Sequence, residues 1–148
     1  MLEAHGSLDP IRPESAIPLL NGDECAKSHG IEVLVQVPSY SRLKMQVRAD
    51  MLNPHGICHG GMTFLLADTA LAYACGGAMV TTSAQIIFPA PAQLGDTLTA
   101  ECIAVHQGQK AGVFDVTVTT QNGTKVALVR GQTLTYGSLE VPGKGSGK

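Results

Sequence analysis

The sequence predicts one α+β domain in which a curved antiparallel sheet wraps around a long buried helix. Two observations predict it. The segment Gly60–Cys75 is rich in Ala and Leu, is too long for a strand, and is apolar on nearly every face. Shorter segments rich in Val, Ile and Thr stand before and after it. A helix that is apolar all round needs cover on most sides, and a curved sheet supplies that cover.

The segment before the long helix predicts a short helix and a hairpin. We expect a helix over Pro18–His29, ended by Gly30. Apolar residues then alternate with others over Ile31–Val37 and again over Leu43–Ala49, which predicts two strands. Pro38-Ser39 lies between them and marks the turn.

Four more strands are predicted after Gly76-Gly77, which ends the long helix. The Asn122-Gly123 pair between the last two favours a tight type I′ hairpin turn. The order of helix, two strands, long helix and four strands is the outline of a hotdog fold. The four strands are Val80–Phe88, Thr97–His106, Val113–Gln121 and Val126–Tyr136.

The chain divides into three segments by composition. Residues 1–16 are predicted to be irregular, residues 17–137 to form a single hotdog domain, and residues 138–148 to be a flexible tail rich in Gly and Ser. The N-terminal residues lack the basic and apolar regions of a secretory signal. No apolar run is long enough to span a membrane.

Composition excludes several classes of protein. Charged residues make up 15% of the 148 residues and the net charge is −2, which is unlike a disordered chain or a nucleic-acid binder. The four cysteines are far apart and form no C-x-x-C pair, so we expect reduced thiols and a cytoplasmic protein. So little charge on a small domain also indicates that part of its surface is buried in a homo-oligomer.

The charge shortage is concentrated around one carboxylate. From Met51 to Leu94 the only formally charged residue is Asp68, which lies within the predicted buried helix. Burial of an Asp is costly unless it is paired or functional, and no cationic residue lies within a turn of it. A catalytic carboxylate is therefore favoured over a merely hydrogen-bonded one.

The start of the same helix is a second candidate. Backbone amides in a first helical turn lack intrahelical partners and face the positive end of the helix dipole. Gly60 and Gly61 stand there, and they either admit a ligand to these amides or simply pack tightly against a strand. Asp68 lies roughly 12 Å further along the helix. The two positions can act on one carbonyl only if antiparallel helices of a two-fold dimer bring them together.

Other polar residues are weaker candidates. His59 precedes the helix, and Asn53 stands at the base of the preceding loop, where it either serves the turn or holds water or a thioester oxygen. Thr81 or Thr82 could place a hydroxyl beside the carboxylate. Gly108, Lys110 and Arg130 would suit a nucleotide phosphate, although solvated surface charge is the simpler interpretation. Pro54 just before His55 and Gly56 just after it make a helical His55–His59 pair unfavourable, which argues against a metal site.

The segment Asn53–Asp68 reads N-x5-HGG-x6-D, and it resembles the signature of hotdog thioesterases, most closely the phenylacetic acid degradation (PaaI) group. The resemblance covers roughly residues 20–136. It implies hydrolysis of acyl-CoA thioesters, with aryl-acetyl-CoA esters as substrates and no cofactor. It also implies that Asp68 is the catalytic carboxylate, that the Gly60 amide polarises the carbonyl, and that Asn53 and His59 support the site. Such proteins are typically dimers of dimers.

Two alternatives remain open at this point. A hotdog dehydratase would use a catalytic His with a helical carboxylate, here His59 with Asp68. A non-catalytic acyl-CoA-binding module would need no such residues, although the chain shows no basic DNA-binding segment in residues 1–20.

Overall fold

The computed structural model describes residues 22–76 and 79–135, which form one six-stranded antiparallel sheet and one long helix. The predicted segments 1–16 and 138–148 lie outside the described residues. None of the described helices is long and apolar enough to cross a membrane. The elements are α1 (Glu24–Ser28), β1 (Glu32–Val37), β2 (Tyr40–Gln46), a 3₁₀ turn (Ala49–Met51), α2 (Gly60–Ala74), β3 (Met79–Ile87), β4 (Thr97–Gln107), β5 (Ala111–Thr119) and β6 (Lys125–Thr135).

The strand order in the sheet is β1-β2-β4-β5-β6-β3, and every neighbouring pair is antiparallel. β1 and β3 are therefore the two edges of the sheet. β3 follows α2 in the chain and crosses to the edge beside β6, so α2 and this edge strand are neighbours in sequence. The predicted α+β architecture, with the sheet around α2, is confirmed.

The core lies between the inner face of the sheet and α2. Burial alternates along β5, where Phe114, Val116 and Val118 face inward. Leu66, Ala67, Ala70 and Leu71 are the corresponding buried residues of α2. Gly131 on β6 allows a close approach, because a Cβ there would lie 2.4 Å from the Leu71 Cδ1 atom. Small residues on both surfaces thus let the helix lie directly on the sheet.

The boundaries of the first elements differ from the prediction. Residues 18–21 of the predicted first helix lie outside the described residues, and α1 begins at Glu24, where the Asp23 side chain accepts a hydrogen bond from the Ala26 amide at 3.0 Å. β2 begins at Tyr40 rather than Leu43, because Tyr40 already pairs with Val37 across the two-residue turn. β2 also ends earlier, at Gln46, and the Val47 amide donates instead to the Asp96 carbonyl at 2.8 Å before the 3₁₀ turn begins at Ala49.

The predicted type I′ turn at Asn122-Gly123 is wrong. A type I′ turn needs positive φ at both central residues, and only Gly123 has it, with φ of 80°. The connection is longer: the Gly123 amide donates to the Thr120 carbonyl at 2.9 Å, and the Thr120 amide donates to the Thr124 carbonyl at 2.9 Å. The glycine therefore closes a three-residue loop, residues 121–123, between Thr120 and Thr124.

Candidate active site

The first turn of α2 is capped so that one amide remains unpaired. His59 is the N-cap, and its Nδ1 atom accepts a hydrogen bond from the Gly61 amide at 3.0 Å. The His59 carbonyl accepts from the amides of Met62 at 2.9 Å and Thr63 at 3.3 Å. The Gly60 amide has no hydrogen-bond partner among the described residues. The positive end of the helix dipole therefore presents a single free N–H group.

The cap also fixes the tautomer of the His59 ring. Because Nδ1 accepts a hydrogen bond, the proton of the neutral ring is assigned to Nε2. The side chain is exposed, so the Nε2–H group remains available as a donor. Gly61, a predicted ligand-binding residue, uses its amide for the cap instead.

Asn53 closes the loop that leads to α2. Its Oδ1 atom accepts hydrogen bonds from the amides of His55 at 2.9 Å and Ile57 at 3.3 Å. Its own backbone amide donates to the Ile57 carbonyl at 2.8 Å. Since the carbonyl oxygen of the side chain is used within the turn, the Nδ2 amide is the group left to donate to a ligand.

A cavity of about 500 Å³ adjoins this end of α2. Its size is in the range of small-molecule pockets. Its polar groups come from Asn53, Gly60 and Thr63, and the rest of its lining is largely apolar. The other lining residues are Ile57, Cys58, Phe88, Pro89, Ala90, Pro91, Ala92 and Val126.

Phe88 packs directly on Gly60. A Cβ atom at Gly60 would lie 2.9 Å from the Phe88 Cζ atom, so a larger residue would force the ring to move. Gly60 therefore has both a close packing contact and a free amide, although the contact is with the Phe88 ring, one residue beyond β3, and not with a strand. Local sequence gives no signal for this contact, because Phe88 lies beyond the whole of α2 and β3.

Asp68 pairs with a hydroxyl group and not with a cation. It is half-buried, and its Oδ1 atom accepts a hydrogen bond from Thr81 Oγ1 at 2.7 Å. The second carboxylate oxygen has no partner among the described residues. The bond ties α2 to the edge strand β3 and holds the carboxylate in one orientation.

A β-bulge distinguishes the two candidate threonines. Thr81 pairs with Thr133 and Ser83 pairs with Gln132, so Thr82 is an extra residue on β3. Thr82 is exposed, and its hydroxyl donates to the Gln132 carbonyl at 3.2 Å. Bulges next to sites re-aim side chains, and this one leaves Thr81 on the side of Asp68.

The structure does not bring Gly60 and Asp68 together within one chain. Both lie on the uninterrupted helix α2, eight residues apart, which corresponds to roughly 12 Å. His59 and Asp68 also have separate partners, the Gly61 amide and the Thr81 hydroxyl. The His–carboxylate pair that a dehydratase requires is thus absent within the described part of the chain.

The predicted phosphate-binding residues lie elsewhere. Gly108 closes the β4–β5 turn, with its amide 2.8 Å from the Ala111 carbonyl, and Lys110 is exposed in the same turn. Arg130 faces the outer side of the sheet, where it donates to both oxygens of Asp115 at 2.7 and 2.8 Å. This bond holds the pKa of Asp115 below its usual range.

Cys58 lines the cavity but is not suited to act as a nucleophile. Burial raises the pKa of its thiol, although a hydrogen bond with Thr63 acts in the opposite direction. The thiol therefore stays protonated at neutral pH, and the thiolate is the reactive form.

All four cysteines are free. Within residues 22–76 and 79–135, no group of three or more His, Cys, Asp or Glu side chains is arranged to hold a metal ion.

Comparison with known proteins identifies the family. The model of the thioesterase superfamily matches residues 55–127. Acyl-coenzyme A thioesterase PaaI of Escherichia coli K12 is 43% identical over 122 residues, which are 80% of this chain and 87% of that protein. The chain belongs to the thioesterase superfamily. It is therefore a thioester hydrolase, as predicted, and its resemblance to the PaaI group is confirmed.

Solved structures of this superfamily share the fold. The structure of E. coli PaaI, described as coming from the phenylacetic acid degradation operon, superposes with a TM-score of 0.79 at 40% identity, covering 82% of this chain and 91% of that one. Protein smu.793 of Streptococcus mutans UA159, solved bound to acetyl CoA, gives 0.68 at 29% identity and covers 71% and 87%. The hotdog fold of the thioesterase domain is confirmed.

Proposed function

We propose that this thioesterase hydrolyses acyl-CoA esters to the free acid and CoA, and that aryl-acetyl-CoA esters such as phenylacetyl-CoA are its preferred substrates. The name of the E. coli relative and the acetyl CoA bound to the S. mutans structure support the CoA ester. The operon of the E. coli protein supports the aryl-acetyl group and a role in aromatic catabolism.

The free Gly60 amide is the observation that carries the proposal. Gly60 lines the cavity, and its neighbours in the first turn already have partners. A thioester carbonyl that accepts from this N–H gains a hydrogen bond and the field of the helix dipole as negative charge develops on oxygen. The Asn53 Nδ2 group and the His59 Nε2–H group lie on the same loop and are the supporting donors.

Asp68 supplies the second half of the reaction. Its free carboxylate oxygen takes a proton from water, and the water oxygen attacks the thioester carbon to give a tetrahedral intermediate. The C–S bond then breaks, and the CoA thiolate leaves and takes up the proton held by Asp68, which restores the carboxylate. The Thr81 hydroxyl donates its hydrogen bond to Asp68. The lone pairs of the same hydroxyl oxygen remain free to accept a hydrogen bond from the water. Direct attack by Asp68 to give an anhydride is the competing route.

The complete site needs two subunits. Asp68 is bound to β3, whose other edge has no partner strand in the described sheet, and Ser83, Ala84 and Gln85 are exposed along it. A second copy approaching this edge, with its α2 antiparallel, places Gly60 of one subunit near Asp68 of the partner subunit. A dimer with two composite sites, paired into a tetramer in the cytoplasm, is part of the proposal.

Two measurements test the function. Release of free thiol is followed with phenylacetyl-CoA, benzoyl-CoA and hexanoyl-CoA, for the wild type and for Asp68→Asn. We expect the highest kcat/KM with phenylacetyl-CoA, without added cofactor, and a loss of about 10²- to 10⁴-fold in kcat for the variant. No release from any ester, or full activity of Asp68→Asn, would contradict the proposal.

Isotope labelling separates the two routes. Under single turnover in ¹⁸O-water, general-base catalysis puts the label directly into the acid product. In the anhydride route with water attacking the Asp68 carboxyl carbon, the acid of that first turnover carries an unlabelled oxygen from Asp68, and the label enters Asp68.

A further inference from the structure

The segment Phe88–Ala92, between β3 and β4, forms an apolar wall of the cavity at the start of α2. It contributes one aromatic ring, two prolines and two alanines. Pro89 and Pro91 fix the backbone φ angle at two of its positions, which restricts how far this wall can adapt. A stiff apolar wall beside a few polar groups is the arrangement by which small-molecule pockets select the shape of a ligand.

The Phe88 ring reaches the residue that carries the free amide. Its Cζ, Cε1 and Cε2 atoms would lie 2.9, 3.3 and 3.4 Å from a Cβ atom at Gly60, so the outer edge of the ring points at this glycine. The side chain is nevertheless 49% exposed. Phe88 is also the one aromatic residue among the described residues that line the cavity.

Ile87, the last residue of β3, lies next to Phe88 and differs from it in what it borders. Ile87 is 55% exposed, similar to Phe88, but it lines a depression on the outer face of the sheet with Asp115 and Leu128. Exposure of an apolar side chain is therefore not what distinguishes Phe88. Its distinction is that the exposed ring borders Gly60 and the cavity.

We propose that Phe88 is a specificity-determining residue whose ring contacts the acyl group of the substrate and favours a planar aromatic group over a short aliphatic one. The inference rests on the proposed function, because that function places the thioester oxygen at the Gly60 amide. The acyl group of a thioester held there starts beside the Phe88 ring. Aromatic pairs in edge-to-face or offset contact are favoured, whereas an acetyl group is too short to cover the ring.

Binding to a slow variant tests the proposal without depending on turnover. In the Asp68→Asn background, titration calorimetry measures the Kd of phenylacetyl-CoA and of acetyl-CoA. Phe88→Leu keeps an apolar side chain but removes the ring, and we expect it to reduce the preference for phenylacetyl-CoA by about tenfold. Phe88→Tyr should retain the preference. Ile87→Ala, the matched control, should leave it unchanged.

The outcomes distinguish this proposal from the proposed function. An unchanged Kd ratio in Phe88→Leu, or an equal change in Ile87→Ala, overturns the role of Phe88. If the wild type releases no CoA but the Kd ratio still depends on the ring, the hydrolytic function fails and the role of Phe88 stands. Circular dichroism confirms folding of each variant, and Phe88→Met, which also removes the ring but keeps an apolar side chain of similar length, is measured instead if Phe88→Leu does not fold.

Discussion

The start and the middle of α2 satisfy their polar groups in opposite ways. At the start, backbone amides are capped by His59, and one donor, the Gly60 amide, remains free. In the middle, a carboxylate bonds to Thr81 on another element, and one acceptor oxygen remains free. Hydrolysis of a thioester needs a donor for the carbonyl and an acceptor for the proton of water. Under the proposed function each region supplies one of these groups, and a single helix then provides half of a site at either position.

Removal of the free Gly60 N–H group is expected to have the largest effect on kcat. Proline is tolerated at the first position of a helix and has no N–H group. His59, with φ of −59° and ψ of 132°, already has a conformation that suits the residue before proline. Because any Cβ at Gly60 meets Phe88, the test uses a Phe88→Ala background. There we expect Gly60→Pro to have a kcat about 10²- to 10³-fold below that of Gly60→Ala, which retains the amide.

The matched pair separates the amide from the packing. Both variants carry a Cβ atom, so only the loss of the N–H group distinguishes them. Equal rates of thiol release in the two variants would show that Gly60 is required for packing alone.

Mixed oligomers test whether the two regions act across subunits. Asp68→Asn subunits are co-expressed with Gly60→Pro/Phe88→Ala subunits under two affinity tags. In a heterodimer, one composite site carries every substitution and the other carries none. Random pairing should therefore restore about a quarter of wild-type activity in the unseparated mixture and about half in the purified heterodimers, although each parent is nearly inactive. Activity of the doubly tagged fraction that stays at the parental level would show that both regions serve one chain.

The hydroxyl beside Asp68 is expected to have a smaller effect. Thr81→Ala removes the bond that orients the carboxylate, and we expect kcat to fall by about 10-fold, with the KM little changed. Thr82→Ala is the matched control, because Thr82 is the bulged residue and bonds only to the Gln132 carbonyl. Its kcat should stay within about twofold of the wild type, as is usual for an exposed substitution. Equal losses in the two variants would contradict the role assigned to Thr81.

The choice between Thr81 and Thr82 is an example of what the sequence could not predict. Helix α2 follows from its length and apolar composition, the strands from alternation, and the position of Asp68 from the charge gap, all of which are local patterns. Thr81 and Thr82 are chemically the same, and a bulge against Gln132 decides which of them faces Asp68. No local pattern reveals that bulge.

Contacts between segments that are distant in the sequence could not be predicted either. The contact between Gly60 and Phe88 spans α2 and β3, so neither residue signals the other. Arg130 was proposed for a phosphate because of its charge, but its direction depends on strand register: Gly131 faces α2, and Arg130 therefore faces outward to Asp115. The functional roles of all the candidate site residues, Arg130 included, stay predictions.

A substitution at Asp115, on the outer face of the sheet, is expected to have the smallest effect. Asp115 differs from Asp68 because its partner is a cation, and hydrogen bonding to Arg130 lowers its pKa. A carboxyl whose pKa is lower in the folded state stabilises the fold above its unfolded pKa, and this stabilisation is lost as the pH falls through the folded pKa. Both side chains are largely exposed, so Asp115→Asn should lower the Tm at pH 7 only slightly. The difference in Tm between Asp115→Asn and the wild type should narrow as the pH falls from the unfolded pKa of Asp115 through its folded pKa. The kcat of the variant for phenylacetyl-CoA should stay at the wild-type value. A loss of turnover in Asp115→Asn would show that the outer face, and not only the two regions of α2, takes part in the reaction.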